Sequence, residues 1–226
     1  MYAKFWKRVI DFMLSLGAII VLSPVLVVLM MLGAVMMQGN PFFTQLRPGK
    51  GERIFRLIKF RSMTCATDKN GNPLPDEQRL TKYGKFLRKS SLDELPELFN
   101  ILKGDMSIVG PRPQLVRDMV FMTPAQRRRH TVTPGLTGLA QVNGRNNISW
   151  EQKFQYDLLY IDSGITFWKD VKIILQTVGK VFAKADIVRE GTASDLDFGE
   201  WLLQENKVDK ETFDEKQKEA KDLLKV

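Results

Sequence analysis

The distribution of hydrophobic and polar positions divides the chain into an apolar beginning, an alternating middle and a charged end. From Phe12 to Gln38 no charged residue occurs, whereas Lys4, Lys7 and Arg8 precede this stretch and Arg47, Lys50 and Arg53 follow it. A bilayer crossing needs about 20 apolar residues, so the stretch is long enough to span. It is also too long, and too poor in a small-residue cleavage site, for a secretory signal, and is expected to be retained. A buried hairpin of core helices would have to hide LGAIIVLSPVLVVLMMLGAVMM on nearly every face, which a domain of this size can hardly do.

Ser23-Pro24 lies near the middle of the stretch. Proline removes a backbone donor and clashes with the carbonyl one turn earlier, which predicts a kink or a break. The Ser23 hydroxyl can bond back to a carbonyl that hydrocarbon would otherwise strand. Basic residues at both ends favour the cytoplasmic side for both ends, which a straight crossing cannot provide. The expectation is a re-entrant helix-break-helix, with a kinked single span as the alternative.

Beyond the apolar stretch, PFFTQLRPGKGERIFRLIKFRSM reads as two β-prone runs around Pro48-Gly49-Lys50-Gly51, a hairpin. Residues 64–80 are polar, with Asn70-Gly71-Asn72-Pro73 as turn chemistry, and predict a flexible loop. Short amphipathic helices then alternate with loops marked by Gly and Pro, and residues 149–162 and 167–185 show helical spacing. In the latter, Phe167, Trp168, Val171, Ile174, Leu175, Val178 and Phe182 face one way, a pattern shared by helices in the membrane interface and helices against a core. From about Asp209 the chain is charged and helix-prone, read as a solvated helix or frayed terminus. The expected fold is α+β, mostly helical with a small β-hairpin: a membrane anchor over 1–40, one domain over 41–200 and a charged helical tail over 201–226.

Composition narrows the chemistry. A formal charge of +8 over 226 residues means that the surface attracts anions, whether nucleic acid, acidic lipid or phosphorylated substrate. The single cysteine, Cys65, excludes an internal disulfide framework and fits a reducing compartment. Nucleoside-triphosphate loops, dinucleotide-binding glycine motifs, HExxH and paired cysteine ligands are all absent. His130, the only histidine, follows Arg127-Arg128-Arg129 and reads as a surface residue in a basic cluster.

The most informative stretch is SSLDELPELFNILKGDMSIVGPRP, residues 90–113. Ser91-x-x-Glu94 fits a capping box, while Pro96 favours a helix start nearer Asp93. Either register sets the adjacent carboxylates of Asp93 and Glu94 beside exposed backbone N–H groups, a natural seat for phosphate. Two anions and an anionic target need cations, and the sequence offers Lys59, Arg61, Arg88, Lys89, Arg112 and Arg145. Arg112 lies between Pro111 and Pro113, whose fixed φ angles stiffen its backbone and aim its fork.

LIKFRSM at 57–63, SLDELPELFNILKGDMSIVGPRP at 91–113, TPGLTGLAQVNGRN at 133–146 and the YDLLYI helix at 156–161, together with Ser23-Pro24, resemble the bacterial sugar transferase family, the monotopic polyprenol-phosphate phosphoglycosyl transferases. Within that family the resemblance is strongest to the small enzymes that begin bacterial N-linked glycosylation by moving phospho-N,N'-diacetylbacillosamine, and Ala140, where many hexose-transferring relatives carry tryptophan, leans the same way. Larger members carry further N-terminal membrane helices, so the resemblance implies the catalytic core alone.

The resemblance implies a re-entrant anchor at the cytoplasmic face of the bacterial inner membrane. It also implies transfer of a sugar 1-phosphate from a UDP-sugar to undecaprenyl phosphate, with release of UMP. Asp93 would attack the β-phosphorus to form an aspartyl-phosphosugar, and Glu94 would orient the metal or assist proton movement. Mg²⁺ would be held at Asp93. Arg112 would hold phosphate, Lys59, Arg88 and Arg145 would neutralise it, and Asp157 would orient one of the arginines. A carboxylate needs no base to become a nucleophile at neutral pH, which agrees with this assignment. The competing class is a membrane-anchored basic module for nucleic acid or acidic lipid. It has no use for Asp93-Glu94, and no nucleic-acid fold motif is present, so nucleic acid is not an expected partner.

Overall fold

The computed structural model describes residues 1–72, 74–144, 148–183 and 196–225, with 182 and 183 described by backbone alone. The apolar stretch is one helix, α1 (Trp6–Met36). The sequence predicts an interruption at Pro24, but helical geometry runs through it. The reason is local. Proline at 24 leaves the Ile20 carbonyl without its usual donor, and the Ser23 hydroxyl donates to that same oxygen at 2.8 Å.

α1 is attached to the rest of the chain along its whole length. Near its start Lys7 Nζ pairs with Asp170 at 2.6 Å, and the Asp11 carboxylate accepts from the Ser107 hydroxyl at 2.7 Å and the Ile108 amide at 3.1 Å. Ala18 and Ile19, midway, pack on the Phe55, Leu57, Leu98, Ile101 and Met106 cluster. Near its end Leu29 packs with Phe60 and Leu87, and Tyr83 donates to the Leu29 carbonyl at 2.7 Å. The other faces of the helix, with Phe12, Met13, Leu14, Val21, Val28, Met31 and Val35, are exposed.

The hairpin forms as expected from β1 (Phe42–Pro48) and β2 (Ile54–Phe60), antiparallel with Gln45 opposite Leu57. Its turn uses Gly51 at φ +63°, a left-handed value that glycine adopts without strain. The polar 64–80 stretch contains a single helical turn, α2 (Asp76–Arg79), and Pro73 of its expected turn lies outside the described residues. Next come α3 (Lys82–Ser90), capped by Thr81, and α4 (Glu97–Lys103). A two-stranded parallel sheet pairs β3 (Ser107–Val109) with β4 (Gly135–Thr137). Glycine is required there by contact: a Cβ on Gly135 would lie 2.1 Å from the Gly110 amide nitrogen. Between these strands lie two short α-helical turns, α5 (Val116–Met119) and α6 (Pro124–Arg127), and a 3₁₀ turn (Arg128–Thr131), and after the strands α7 (Leu139–Val142).

The two predicted long helices are α8 (Trp150–Asp162), opened by a Ser149/Gln152 capping box, and α9 (Phe167–Ala183). α9 combines both pictures open to it in the sequence. Asp170 and Ile173 are buried and Ile174 packs against the core, while Trp168, Leu175 and Val178 are exposed; the Phe182 side chain lies outside the described residues.

The tail is packed rather than simply solvated. In α10 (Phe198–Gln204) Phe198 is buried with Trp150 and Phe154, and in α11 (Lys210–Leu223) Ala220 is buried and Phe213 packs on Phe121.

Candidate active site

The capping box anticipated at Ser91 is not formed. Ser91 sits in left-handed geometry at the end of α3 (φ +55°), Leu92–Glu94 make one 3₁₀ turn, and the helix proper starts at Glu97 after Pro96. This arrangement turns Glu94 and Glu97 towards β2. The Asn100 side chain fixes the spacing, accepting from the Ile58 amide at 3.0 Å and donating to the Arg56 carbonyl at 2.8 Å. Lys59, the next residue along the strand, therefore reaches both carboxylates, with Nζ 3.0 Å from Glu94 Oε1 and 3.0 Å from Glu97 Oε1.

Arg112 closes the cluster from the other side, its guanidinium 2.6 Å from the same Glu94 Oε1. Its backbone is held at three successive carbonyls. Pro111 accepts from the Gly135 amide at 2.9 Å, Arg112 from the Arg129 guanidinium at 2.7 Å, and Pro113 from Arg47 at 3.3 Å. The stiffness expected from the flanking prolines is thus supplemented by contacts from β4, from a buried arginine and from the hairpin.

Asp93 is half-buried and, among the described residues, makes no hydrogen bond or ion pair. Burial and the neighbouring Glu94 charge raise its carboxyl above the usual carboxylate range, against the opposing pull of Lys59, Arg112 and Arg88. At Lys59 burial favours the neutral amine, but Glu94 and Glu97 outweigh it and the ammonium is held above its usual range. The result is an unengaged carboxylate beside an engaged one, inside a ring of positive charge.

Arg88, on α3, donates from Nε to the Ser62 hydroxyl at 3.0 Å. Asp157 does not face the site. It is buried on α8 and accepts from Arg129 at 3.0 and 2.7 Å, so it acts on Arg112 at one remove, through Arg129. A fully buried carboxylate here pairs with the nearest cation that the fold can bury with it. Arg145 lies outside the described residues.

His130 is not a surface residue: it is 6% exposed, 3.4 Å from Glu52, and burial together with Arg129 lowers its imidazole to about 4. Arg129 and Glu97 have roles that sequence reading missed. For Glu97 the signal was present, since an acid three residues after Glu94 on a helical turn shares its face. For Arg129 in a run of arginines there was none.

Among the described residues no group of three His, Cys, Asp or Glu side chains converges. Mg²⁺ bound through one or two carboxylates, substrate phosphates and retained waters requires no such group, and the unengaged Asp93 carboxylate supplies a suitable hard donor.

Comparison with known proteins agrees with the motifs. Residues 2–184 match the bacterial sugar transferase family, and the chain belongs to it. It is 48% identical over 186 residues to the uncharacterized sugar transferase EpsL of Bacillus subtilis (strain 168), covering 80% of this chain and 89% of that protein. Against the UDP-glucose:undecaprenyl-phosphate glucose-1-phosphate transferase of Klebsiella pneumoniae it is 41% identical over 187 residues, 78% of this chain but 40% of the relative. The UDP-N-acetylgalactosamine-undecaprenyl-phosphate N-acetylgalactosaminephosphotransferase of Aeromonas hydrophila is 37% identical over 182 residues, 77% of this chain and 43% of the relative. The chain thus spans most of the Bacillus protein and about two-fifths of the other two.

Proposed function

We propose that the protein transfers a sugar 1-phosphate from a UDP-sugar to undecaprenyl phosphate through a covalent intermediate on Asp93. The observation that carries this is the division of labour between adjacent carboxylates: Glu94 holds Lys59 and Arg112 in place, which leaves Asp93 unengaged among the described residues. An Asp93 oxygen attacks the β-phosphorus, the bond from that phosphorus to the bridging oxygen breaks, and the electron pair leaves with UMP. A phosphate oxygen of undecaprenyl phosphate then attacks the same phosphorus and frees the Asp93 carboxylate. One phosphoanhydride replaces another, so no ATP is consumed. Lys59 and Arg112 offset charge on the transferring phosphoryl group, and Arg88 and Arg145 are assigned to the diphosphate. Mg²⁺, held by Asp93 and the diphosphate, would add charge neutralisation at the leaving group.

The relatives' names include glucose and N-acetylgalactosamine phosphates, so the family does not fix the sugar. For this chain we propose N,N'-diacetylbacillosamine, on the sequence resemblance and on Ala140, which is buried in α7. A panel of UDP-diacetylbacillosamine, UDP-glucose, UDP-galactose and UDP-N-acetylgalactosamine tests it by UMP release. Preference for any of the other three donors would reject that sugar and leave the reaction standing.

The location proposed is the cytoplasmic face of the bacterial inner membrane, with α1 embedded from one side in a layer of phospholipid. Support comes from the attachments at Lys7 and Leu29, which lie roughly 33 Å apart on a straight helix. A crossing helix would carry those two attachments to opposite faces of a bilayer core about 30 Å thick, with the Phe55 cluster in hydrocarbon between them. A helix lying against one side of the layer avoids this, and sets Asp93 at head-group depth where the lipid phosphate lies.

A further inference from the structure

A cavity of about 250 Å³ adjoins the Glu94–Arg112 pair, enclosed by the Ser91–Leu98 segment, the β4–α7 connection and α9. Most of its wall area is apolar, from Leu95, Leu98, Leu136, Val142 and Val181, while Arg112 and Glu94, with Thr137, Gln141, Thr177 and Lys180, supply its polar groups. The catalytic reading given above does not use this space. A UDP-sugar carries hydroxyls and charge over most of its surface, more than these few polar groups can pair, and the apolar part of the wall would leave the rest unpaired. The other reactant is different, being an anion joined directly to hydrocarbon.

The outside of α9 leads into this cavity. Leu175, Val178 and Val181, three residues apart on one side of the helix, are 66%, 47% and 40% exposed, and Val181 also lines the cavity. An apolar track therefore runs from an unpartnered helix face to the guanidinium of Arg112, which has donors beyond the one spent on Glu94. On the strength of that track and its terminal cation, we infer that the cavity seats the isoprenoid units next to the phosphate of the acceptor, with the phosphate itself at Arg112. This rests on the two-step reading of the reaction, and it adds that donor and acceptor occupy separate subsites on either side of Glu94.

The two half-reactions allow a direct test. Val181→Phe narrows the mouth at a position exposed enough to tolerate a larger side chain, and Leu136→Phe fills the interior. With undecaprenyl phosphate as acceptor, each variant is expected to raise its KM at least ten-fold, in the range found when hydrophobic pockets are altered. The yield of sugar-phosphate on the protein, measured with the best UDP-sugar of the panel and no lipid, is expected to stay at the unmodified level. An unchanged acceptor KM in Val181→Phe overturns the inference, whether or not Leu136→Phe folds. So does a loss of covalent yield with acceptor KM unchanged, which would assign the cavity to the donor. If the unmodified protein forms no covalent species, the two-step reading itself fails and this inference falls with it.

Discussion

The Arg129 guanidinium donates to the backbone carbonyl of Arg112 at 2.7 Å, and Asp157 holds Arg129 in that position from behind. A buried ion pair between α8 and the 3₁₀ turn Arg128–Thr131 thus sets the height of the loop that aims Arg112 at Glu94. Its members touch no reacting atom, so they position rather than catalyse.

Asp157→Asn should consequently weaken both fold and substrate binding. Removing one charge of a buried pair leaves the other uncompensated, at a cost of about 3–5 kcal/mol. Urea unfolding should show that loss, and in the surviving folded enzyme KM for the UDP-sugar should rise more than kcat falls. A stable variant with unaltered KM would mean that the Arg112 loop does not depend on this support.

In the proposed reaction Asp93 attacks as a carboxylate, and Lys59 is one of the charges that favour that form. The raised Asp93 carboxyl must lose its proton before attack, so the covalent half-reaction is lost as pH falls through a value above the ordinary carboxylate range near ~4. Lys59 opposes that rise, and Lys59→Met removes the opposition. The acid limb of the rate profile should then move to higher pH, with the rate at neutral pH reduced about ten-fold. A limb that stays put or moves down would contradict the electrostatic assignment.

His130 makes stability pH-dependent. Its imidazole is lowered to about 4 in the folded chain against about 6.5 unfolded. Between those values the unfolded chain binds more protons, so stability falls as pH drops from about 6.5 to about 4. The loss is on the order of 2 kcal/mol, below the full linkage value because the Glu52 carboxylate 3.4 Å away titrates over the same range. Denaturant midpoints at pH 7.5 and 4.5 should show it in the natural chain and show less of it in His130→Gln.

The exposed side of α9 should meet lipid. A polarity-sensitive fluorophore on Leu175→Cys, in a Cys65→Ser background, should be quenched by lipids brominated near the head group. The same label on Glu219→Cys in α11 should remain water-like. Equal, water-like emission from both would remove α9 from the interface.

How much of this was legible in the sequence depended on the range of the interactions involved. The hairpin was readable because the β-prone runs and the Pro48-Gly49-Lys50-Gly51 turn are local signals, and α8 because its helical spacing over 149–162 is local too. Asp93, Glu94 and Arg112 stood out as adjacent acids and a proline-fixed base. No break forms at Pro24 because the carbonyl that proline strands is satisfied one residue away, by Ser23. Arg129 and His130 were misread because a run of basic residues normally faces solvent. Their burial depends on Asp157, which is 28 residues from Arg129, and on Glu52 in the hairpin turn, partners that no local pattern announces.

The most direct measurement is the intact mass of the protein after incubation with Mg²⁺ and its UDP-sugar, with no lipid acceptor present. A gain of one sugar-phosphate, mapped to the peptide containing Asp93, discharged by undecaprenyl phosphate and missing from Asp93→Asn, is the predicted result. A gain that persists in Asp93→Asn, or full turnover by that variant, would contradict it.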